Sequence, residues 1–223
     1  MKGLAREQGL AMLVAMMAIL IMTAFGTALI LSSSSETTIA GHFMNALEGG
    51  YAADAMLARG LDDLLAMGDW SPVTAGLVQS HWVDGPPTGA RTLADGSSID
   101  LSQVVNMANC QRSSACSPGD IVEATSDRPW GANNPEWKLY AYGPLTAVLT
   151  GAAVDSRLYV LLLVGRGPAP NLLAVRAEAF GPRGAHAIVE ATAGRPSGGD
   201  EETDYNGPPV QNVAKLLSWR EVR

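Results

Sequence analysis

Apolar and polar residues are distributed very unevenly along this chain. Residues 10–31, LAMLVAMMAILIMTAFGTALIL, form a run of twenty-two residues without a charged side chain. As an α-helix rising about 1.5 Å per residue, the run would be about 33 Å long, enough to cross a hydrocarbon core of about 30 Å. The pattern predicts one membrane-spanning helix close to the N-terminus.

Helical spacing of apolar positions continues beyond this run. Ile39, Phe43, Leu57, Leu61 and Leu64 belong to a stripe whose members recur every three or four residues until about residue 66. We therefore predict a single long helix, transmembrane over 10–31 and amphipathic over 32–68. Because glycine costs a helix about 1 kcal/mol relative to alanine, a bend or local melting is expected near residues 49–50.

The remaining residues, 69–223, are rich in glycine and proline and contain short apolar segments bounded by turn-forming residues. Residues 70–91 are interpreted as a connecting loop, with a short strand at 76–83, in which Trp70 and Trp82 anchor the loop to the core. An aromatic ligand cleft is the alternative for these two tryptophans. Strands are predicted at 98–105, 120–124, 137–142, 146–149, 157–165, 172–180, 186–192 and 213–222. The predicted fold class is α+β, with the long N-terminal helix packed on an antiparallel β-sheet.

Charge indicates how such a chain would be oriented. Fifteen basic and 22 acidic residues give a net charge of −7, which argues against a nucleic-acid partner. Lys2 and Arg6 precede the apolar run and would stay in the cytoplasm, so the larger part would face the periplasm or the exterior. In that oxidising compartment Cys110 and Cys116, with five residues between them in a polar loop, are expected to form a local disulfide. Two unpaired thiols are the alternative.

Motifs for catalysis or cofactor binding are not found in the sequence. The three histidines lack zinc-ligand spacing, and there is neither a G-x-S-x-G elbow nor a phosphate-binding loop. We therefore expect neither an enzyme nor a resident cofactor or metal. The acidic segment Asp200–Asn206 offers oxygen ligands for a cation such as calcium, but it does not match an EF-hand, and a solvated loop is favoured.

Two further stretches carry a resemblance to a known family. The polar leader of residues 1–9 ends at the Gly9–Leu10 junction, on the near side of the apolar run, and this arrangement resembles the class III signal of type IV prepilins. Residues 32–57, SSSSETTIAGHFMNALEGGYAADAML, resemble the block that follows the membrane helix in PilX-type minor pilins. The matching features are Glu36, the Ala40–Gly41 pair and the run at 52–55, and the likeness covers residues 6–65.

The resemblance implies a type IV pilin-like fold and a specific processing step. A prepilin peptidase would cleave after Gly9 and methylate Leu10, leaving the subunit in the inner membrane with residues 69–223 in the periplasm. The implied partners are other minor pilins and the major pilin, reached through the N-terminal helix, with a tip adhesin as a further partner. The implied function is an initiating or tip subunit of a type IV pilus.

One departure from the major pilins supports the tip assignment. Those proteins carry a glutamate at the fifth mature position, whereas the fifth residue from Leu10 is Val14. A carboxylate in an apolar setting is costly unless it is paired, so its absence suits a subunit that has no earlier neighbour to neutralise.

Two alternatives remain at this point. A K-type pseudopilin of type II secretion uses the same helix, but that family usually carries a large helical insertion, for which the strand-rich remainder leaves little room. A signal-anchored periplasmic binding module that never enters a filament would retain residues 2–9.

Overall fold

The computed structural model describes residues 4–126, 135–149, 156–167, 169, 171–195 and 215–222, with the backbone alone for 4–9 and 125–126. The chain forms two compact units, Met1–Met44 and Asn45–Arg223. A long N-terminal helix and a five-stranded antiparallel sheet confirm the predicted α+β class.

Helix α1 extends from Leu4 to Ala66, so it contributes to both units. Its C-terminal end agrees with the predicted limit near residue 66, where Met67-Gly68-Asp69 follows. The chain remains helical through Gly49 and Gly50, and the local melting considered there is not observed. Gly49 is buried, and a methyl group on it would lie 3.4 Å from Ala187 Cβ on the sheet.

The second unit is built on a sheet whose strands are neighbours in chain order, β3-β4-β5-β6-β7. Their bounds are β3 Lys138–Pro144, β4 Tyr159–Arg166, β5 Leu172–Phe180, β6 His186–Gly194 and β7 Lys215–Val222. All neighbouring pairs are antiparallel, as predicted. Strands β5 and β6 are joined through a 3₁₀ turn at Pro182–Gly184, within the turn expected from the sequence.

Three predicted strands are wrong over all or most of their length, because these segments are helical, and in two of them a side-chain cap starts the helix. Residues 98–105 are strand β2 only over Ser98–Asp100, and helix α3 then covers Leu101–Cys110. Asp100 is its N-cap, since its carboxylate accepts hydrogen bonds from the backbone N–H groups of Ser102 and Gln103 at 2.8 and 3.1 Å.

The segment 120–124 lies in helix α4, Pro118–Ser126. Proline at the first helical position suits a helix start, and Ser117 and Asp120 form a reciprocal cap. The Ser117 backbone N–H donates to Asp120 Oδ2 at 2.8 Å, and the Asp120 N–H donates to Ser117 Oγ at 3.2 Å. The segment 146–149 belongs to a single helical turn, α5 Leu145–Val148, which follows Pro144 at the end of β3.

The connecting segment between α1 and β3 contains a one-turn helix α2, Ser71–Thr74, and a hairpin of β1, Ala90–Thr92, with β2. The strand predicted at 76–83 is not formed. Instead residues 80–84 follow the outer edge of β3 irregularly, with hydrogen bonds from Ser80 N to Tyr140 O and from Tyr142 N to Trp82 O. This segment covers one edge of the sheet.

The core of the second unit has two layers, one on each face of the sheet. On one face the buried stripe of α1, which includes Ala53, Met56 and Leu64, packs against alternate residues of β4, β5 and β6. On the other face a cluster around Leu161 and Leu163 includes residues of α3. Strand β4 is therefore buried on both faces, as its continuous apolar sequence predicts.

Trp70 and Trp82 are both buried in the core layer that contains α1, which confirms the anchoring interpretation. The indole Nε1 of Trp70 donates a hydrogen bond of 2.8 Å to the carbonyl of Leu64 near the end of α1. The same carbonyl accepts a hydrogen bond of 3.2 Å from the Met67 N–H, so the indole adds a second bond at the C-terminus of the helix.

Candidate functional site

Helix α1 is the element that carries most of the predicted functional residues. It contains an apolar window with a mean hydropathy of 2.4 that is not buried in the protein, so by length and composition the helix could cross a membrane once. Gly9 and Leu10 are consecutive helical residues at its start. The side chains of Leu10 and Val14 are 67% and 58% exposed, on a segment where nearly every apolar side chain is exposed.

The polar groups inside this apolar segment are internally satisfied. The hydroxyl of Thr23 donates to the carbonyls of Ile19 and Leu20, and the hydroxyl of Thr27 donates to those of Thr23 and Ala24, at 2.9–3.1 Å. Because an unsatisfied polar group is costly in hydrocarbon, this bonding leaves the segment compatible with a lipid or protein environment.

Exposed apolar side chains extend well beyond Leu31. Phe43 and Met44 are 62% and 54% exposed, and in the second unit Tyr51 is 72% exposed. Tyr51 lies on the helix between the buried positions Gly49 and Ala53 and points away from the sheet layer. Apolar surface of this kind marks interaction sites in folded proteins.

The cysteine prediction is met in the structure. Cys110 and Cys116 form a disulfide with their Cα atoms 6.0 Å apart. The bridge links the last residue of α3 to the residue two before α4, across a loop that begins with Gln111 in the left-handed conformation (φ 58°). An ion pair of 2.9 Å between Arg112 and Asp120 joins the same loop to α4. The bridge therefore fixes the connection between the two helices.

Asn109 attaches this helical pair to the sheet. Its side-chain Nδ2 donates to the carbonyl of Trp137 at 3.1 Å, and its Oδ1 accepts from the Trp137 backbone N–H at 2.7 Å. Both groups of one amide are thus used to hold α3 next to the start of β3.

A cluster of charged residues on the face of β5, β6 and β7 that is opposite to α1 was not predicted from the sequence. The guanidinium of Arg176 lies between two carboxylates, 2.6 Å from Glu178 Oε1 and 2.8 Å from Glu190 Oε1. His186 Nε2 lies 2.8 Å from Glu178 Oε2, and Arg220 pairs with the second oxygen of Glu190. The alternation of Arg176 and Glu178 with apolar residues predicts that both lie on the same face of the strand. Their partners on neighbouring strands depend on the register of the hairpin and are not predicted by this pattern.

This charged cluster shifts the pKa values of its buried members. Burial alone would raise the pKa of Glu178, but the hydrogen bond from His186 and the charge of Arg176 hold it below its usual value. Burial would lower the pKa of Arg176, and the carboxylates of Glu178 and Glu190 raise it instead. The Arg176–Glu178 pair is therefore ionised in the fold.

A second polar group connects α1 to the edge of the sheet. Asp63 of α1 accepts a short hydrogen bond from the Tyr140 hydroxyl and a bond of 3.1 Å from Ser80 Oγ. Burial, together with this hydrogen bond and the charge of Asp63, raises the pKa of Tyr140. The Tyr140 phenol is therefore neutral and serves as a hydrogen-bond donor.

The remaining candidates yield no site in the described part of the chain. The acidic segment Asp200–Asn206 lies outside the described residues. Among the residues that are described, His, Cys, Asp and Glu side chains do not form a group of three that could hold a metal ion.

Comparison with known protein families, with characterised proteins and with solved structures found no match.

Proposed function

We propose that this chain is a minor pilin, an initiating or tip subunit that primes the assembly of a type IV pilus with other minor pilins. One observation carries the proposal. A single unbroken helix contains a charge-free segment of membrane-spanning length, residues 10–31, and its C-terminal part packs against an antiparallel sheet. This combination agrees with the pilin-like fold implied by the resemblance over residues 6–65.

Transfer of the helix from a bilayer to a filament is energetically feasible for this sequence. Neighbouring apolar helices would replace lipid chains, so one apolar environment substitutes for another and little hydrophobic energy changes. The hydroxyls of Thr23 and Thr27 keep their intrahelical bonds in either environment. Small or hydroxylated positions such as Thr23, Gly26 and Thr27 also permit close helix contacts.

Val14 supports a place at the start of the filament. It is an exposed apolar residue at the position where major pilins carry a glutamate. A subunit without this carboxylate has nothing to pair with the N-terminal amine of an earlier subunit. Such a subunit is suited to the first position and poorly suited to repeated addition.

A K-type pseudopilin is the second candidate. One structural observation favours it, although the sequence alone does not. Helices α3 and α4 lie between β2 and β3 in a region expected to be mainly strands. They are helices of ten and nine residues. These helices weaken the argument that a strand-rich remainder leaves little space for the helical insertion of that family.

The proposal is tested by blocking processing in the native host. In a Gly9→Arg variant we expect the unprocessed chain to accumulate in the inner membrane and the number of surface filaments to fall. A Gly3→Arg variant, which adds the same charge within the leader, is the control and should be processed normally. Normal piliation with an unprocessed Gly9→Arg chain would contradict the proposal. Loss of protein secretion with normal piliation would favour the pseudopilin.

A further inference from the structure

A groove lies beside the part of α1 that packs on the sheet, and the residues that line it play no part in the proposed filament assembly. It has a volume of about 640 Å³ and lies entirely within the second unit. One wall is the α1 segment from Asn45 to Ala55, and the other walls are the end of α5, the start of β4 and the turn between β5 and β6.

The polar groups of this groove are mainly hydrogen-bond donors. Arg157 and Arg183 are both exposed side chains in its lining, and neither forms an ion pair within the described part of the chain. Asn45 also lines the groove, and its Nδ2 atom is buried without a hydrogen-bond partner among the described residues. Among the described residues of the lining, Glu48 is the one that carries a carboxylate.

The turn that carries Arg183 is held in a conformation that favours glycine. Arg183 has φ 58° and ψ 31°, and it is followed by Gly184 with φ 75°. Its backbone N–H donates to Asp95 Oδ2 at 3.0 Å, and Ala185 N donates to the carbonyl of Pro182 at 3.2 Å. These bonds fix the backbone of the turn whose Arg183 side chain lines the groove. The Asp95 carboxylate binds the backbone N–H of Arg183 and not its guanidinium.

The rest of the lining is mostly apolar, and its exceptions are Ser156 and the phenol of Tyr51. Leu149, which is half-buried, and the edges of the buried core residues Leu145 and Leu158 contribute to the walls opposite α1. The α1 wall, from Asn45 to Ala55, is about 15 Å long at about 1.5 Å per residue, which matches about five residues of extended chain. A lone phosphate would leave this apolar surface uncovered. Guanidinium groups next to apolar walls are suited to a carboxylate carried on an apolar chain.

We infer that this groove binds an acidic segment of a partner protein, with carboxylates at Arg157 and Arg183 and apolar side chains against the three leucines. Charge complementarity carries this inference: among the described residues that line the groove, two guanidiniums without an ion pair and one amide accompany a single carboxylate. The inference is independent of the pilin proposal, because neither processing at Gly9 nor filament assembly enters it.

The test uses the full chain in nonionic detergent micelles and a fluorescein-labelled peptide of alternating leucine and glutamate. We expect the labelled peptide to bind, and Arg157→Gln and Arg183→Gln to weaken binding about tenfold each. Arg112→Gln, which removes the same charge from the distant disulfide loop, should leave the affinity unchanged. In ¹⁵N spectra the side-chain amide of Asn45 should shift when the peptide is added.

Several results would overturn the inference. One is equal affinity for a peptide in which every glutamate is replaced by glutamine, since this would indicate adsorption to micelles or to apolar surface. Another is unchanged affinity in the Arg157→Gln/Arg183→Gln double variant. A third is displacement of the peptide by inorganic phosphate at equal concentration, which would indicate a simple anion site without use of the leucines.

Discussion

Gly60 of α1 lies against Leu162 of the sheet, and this contact gives a sharp test of the packing. A methyl group on Gly60 would overlap Cδ2 of Leu162 on β4 and lie 3.3 Å from its Cγ. Leu162 is fully buried, so it has little freedom to move aside. A methyl group added to Gly50, which lies earlier on α1, would have no atom within 4 Å.

The two glycine-to-alanine substitutions should therefore have opposite effects. At Gly50 the gain is the helix-propensity difference, about 1 kcal/mol in the free energy of unfolding. At Gly60 the same gain is opposed by an overpacking cost of about 1–3 kcal/mol, which leaves a net loss of about 1 kcal/mol. We expect Gly60→Ala to be less stable than Gly50→Ala by about 2 kcal/mol.

The assay is denaturant unfolding of the full chain in nonionic detergent, followed by tryptophan fluorescence. Trp70 and Trp82 are buried in the core that includes α1, so their emission reports on this packing. A double-mutant cycle with Leu162→Ala should recover the cost, because truncation of Leu162 makes room for the methyl group. The packing described here would be refuted if Gly60→Ala matched Gly50→Ala in stability.

Two further predictions concern the second unit. Replacing both Cys110 and Cys116 by serine should lower the free energy of unfolding by about 2 kcal/mol, as expected for a short closed loop, and reductant should destabilise the native chain but not the variant. Glu178→Gln should cost about 3 kcal/mol at neutral pH, the low end for a broken buried pair, because Arg176 keeps Glu190. Since the pKa of Glu178 is lowered in the fold, its stabilisation is fully present above the usual glutamate pKa of about 4.3 and is lost as the pH falls through the folded value. Unfolding measured from neutral to acidic pH should show this loss in the native chain and a weaker dependence in Glu178→Gln; equal pH dependence would contradict it.

Sequence periodicity predicted the parts of the fold where one pattern dominates. The end of α1, the doubly buried strand β4 and the β5–β6 hairpin follow from apolar spacing and a turn at 181–184. The pattern fails for short segments whose hydrophobicity suits a strand or a helix equally, because a capping side chain then determines which of the two forms. Asp100 starts α3, and the reciprocal cap of Ser117 and Asp120 starts α4, so both segments are helical.

The groove and the charged cluster could not be predicted in the same way. Asn45, Arg157 and Arg183 lie on three different elements, and they meet only because α1 packs across strands whose register is set by the whole sheet. The cluster likewise depends on the pairing of Arg176 with Glu190 across β5 and β6. Long-range packing of this kind leaves no local pattern in the sequence.

We propose that this chain is a processed filament subunit, and the mass of its N-terminal peptide in the native membrane and sheared filament fractions tests this proposal most directly. The account predicts a mature chain that begins at Leu10 with a methylated amine and is present in both fractions. A chain that retains residues 2–9, or one that begins at any other residue, would contradict it.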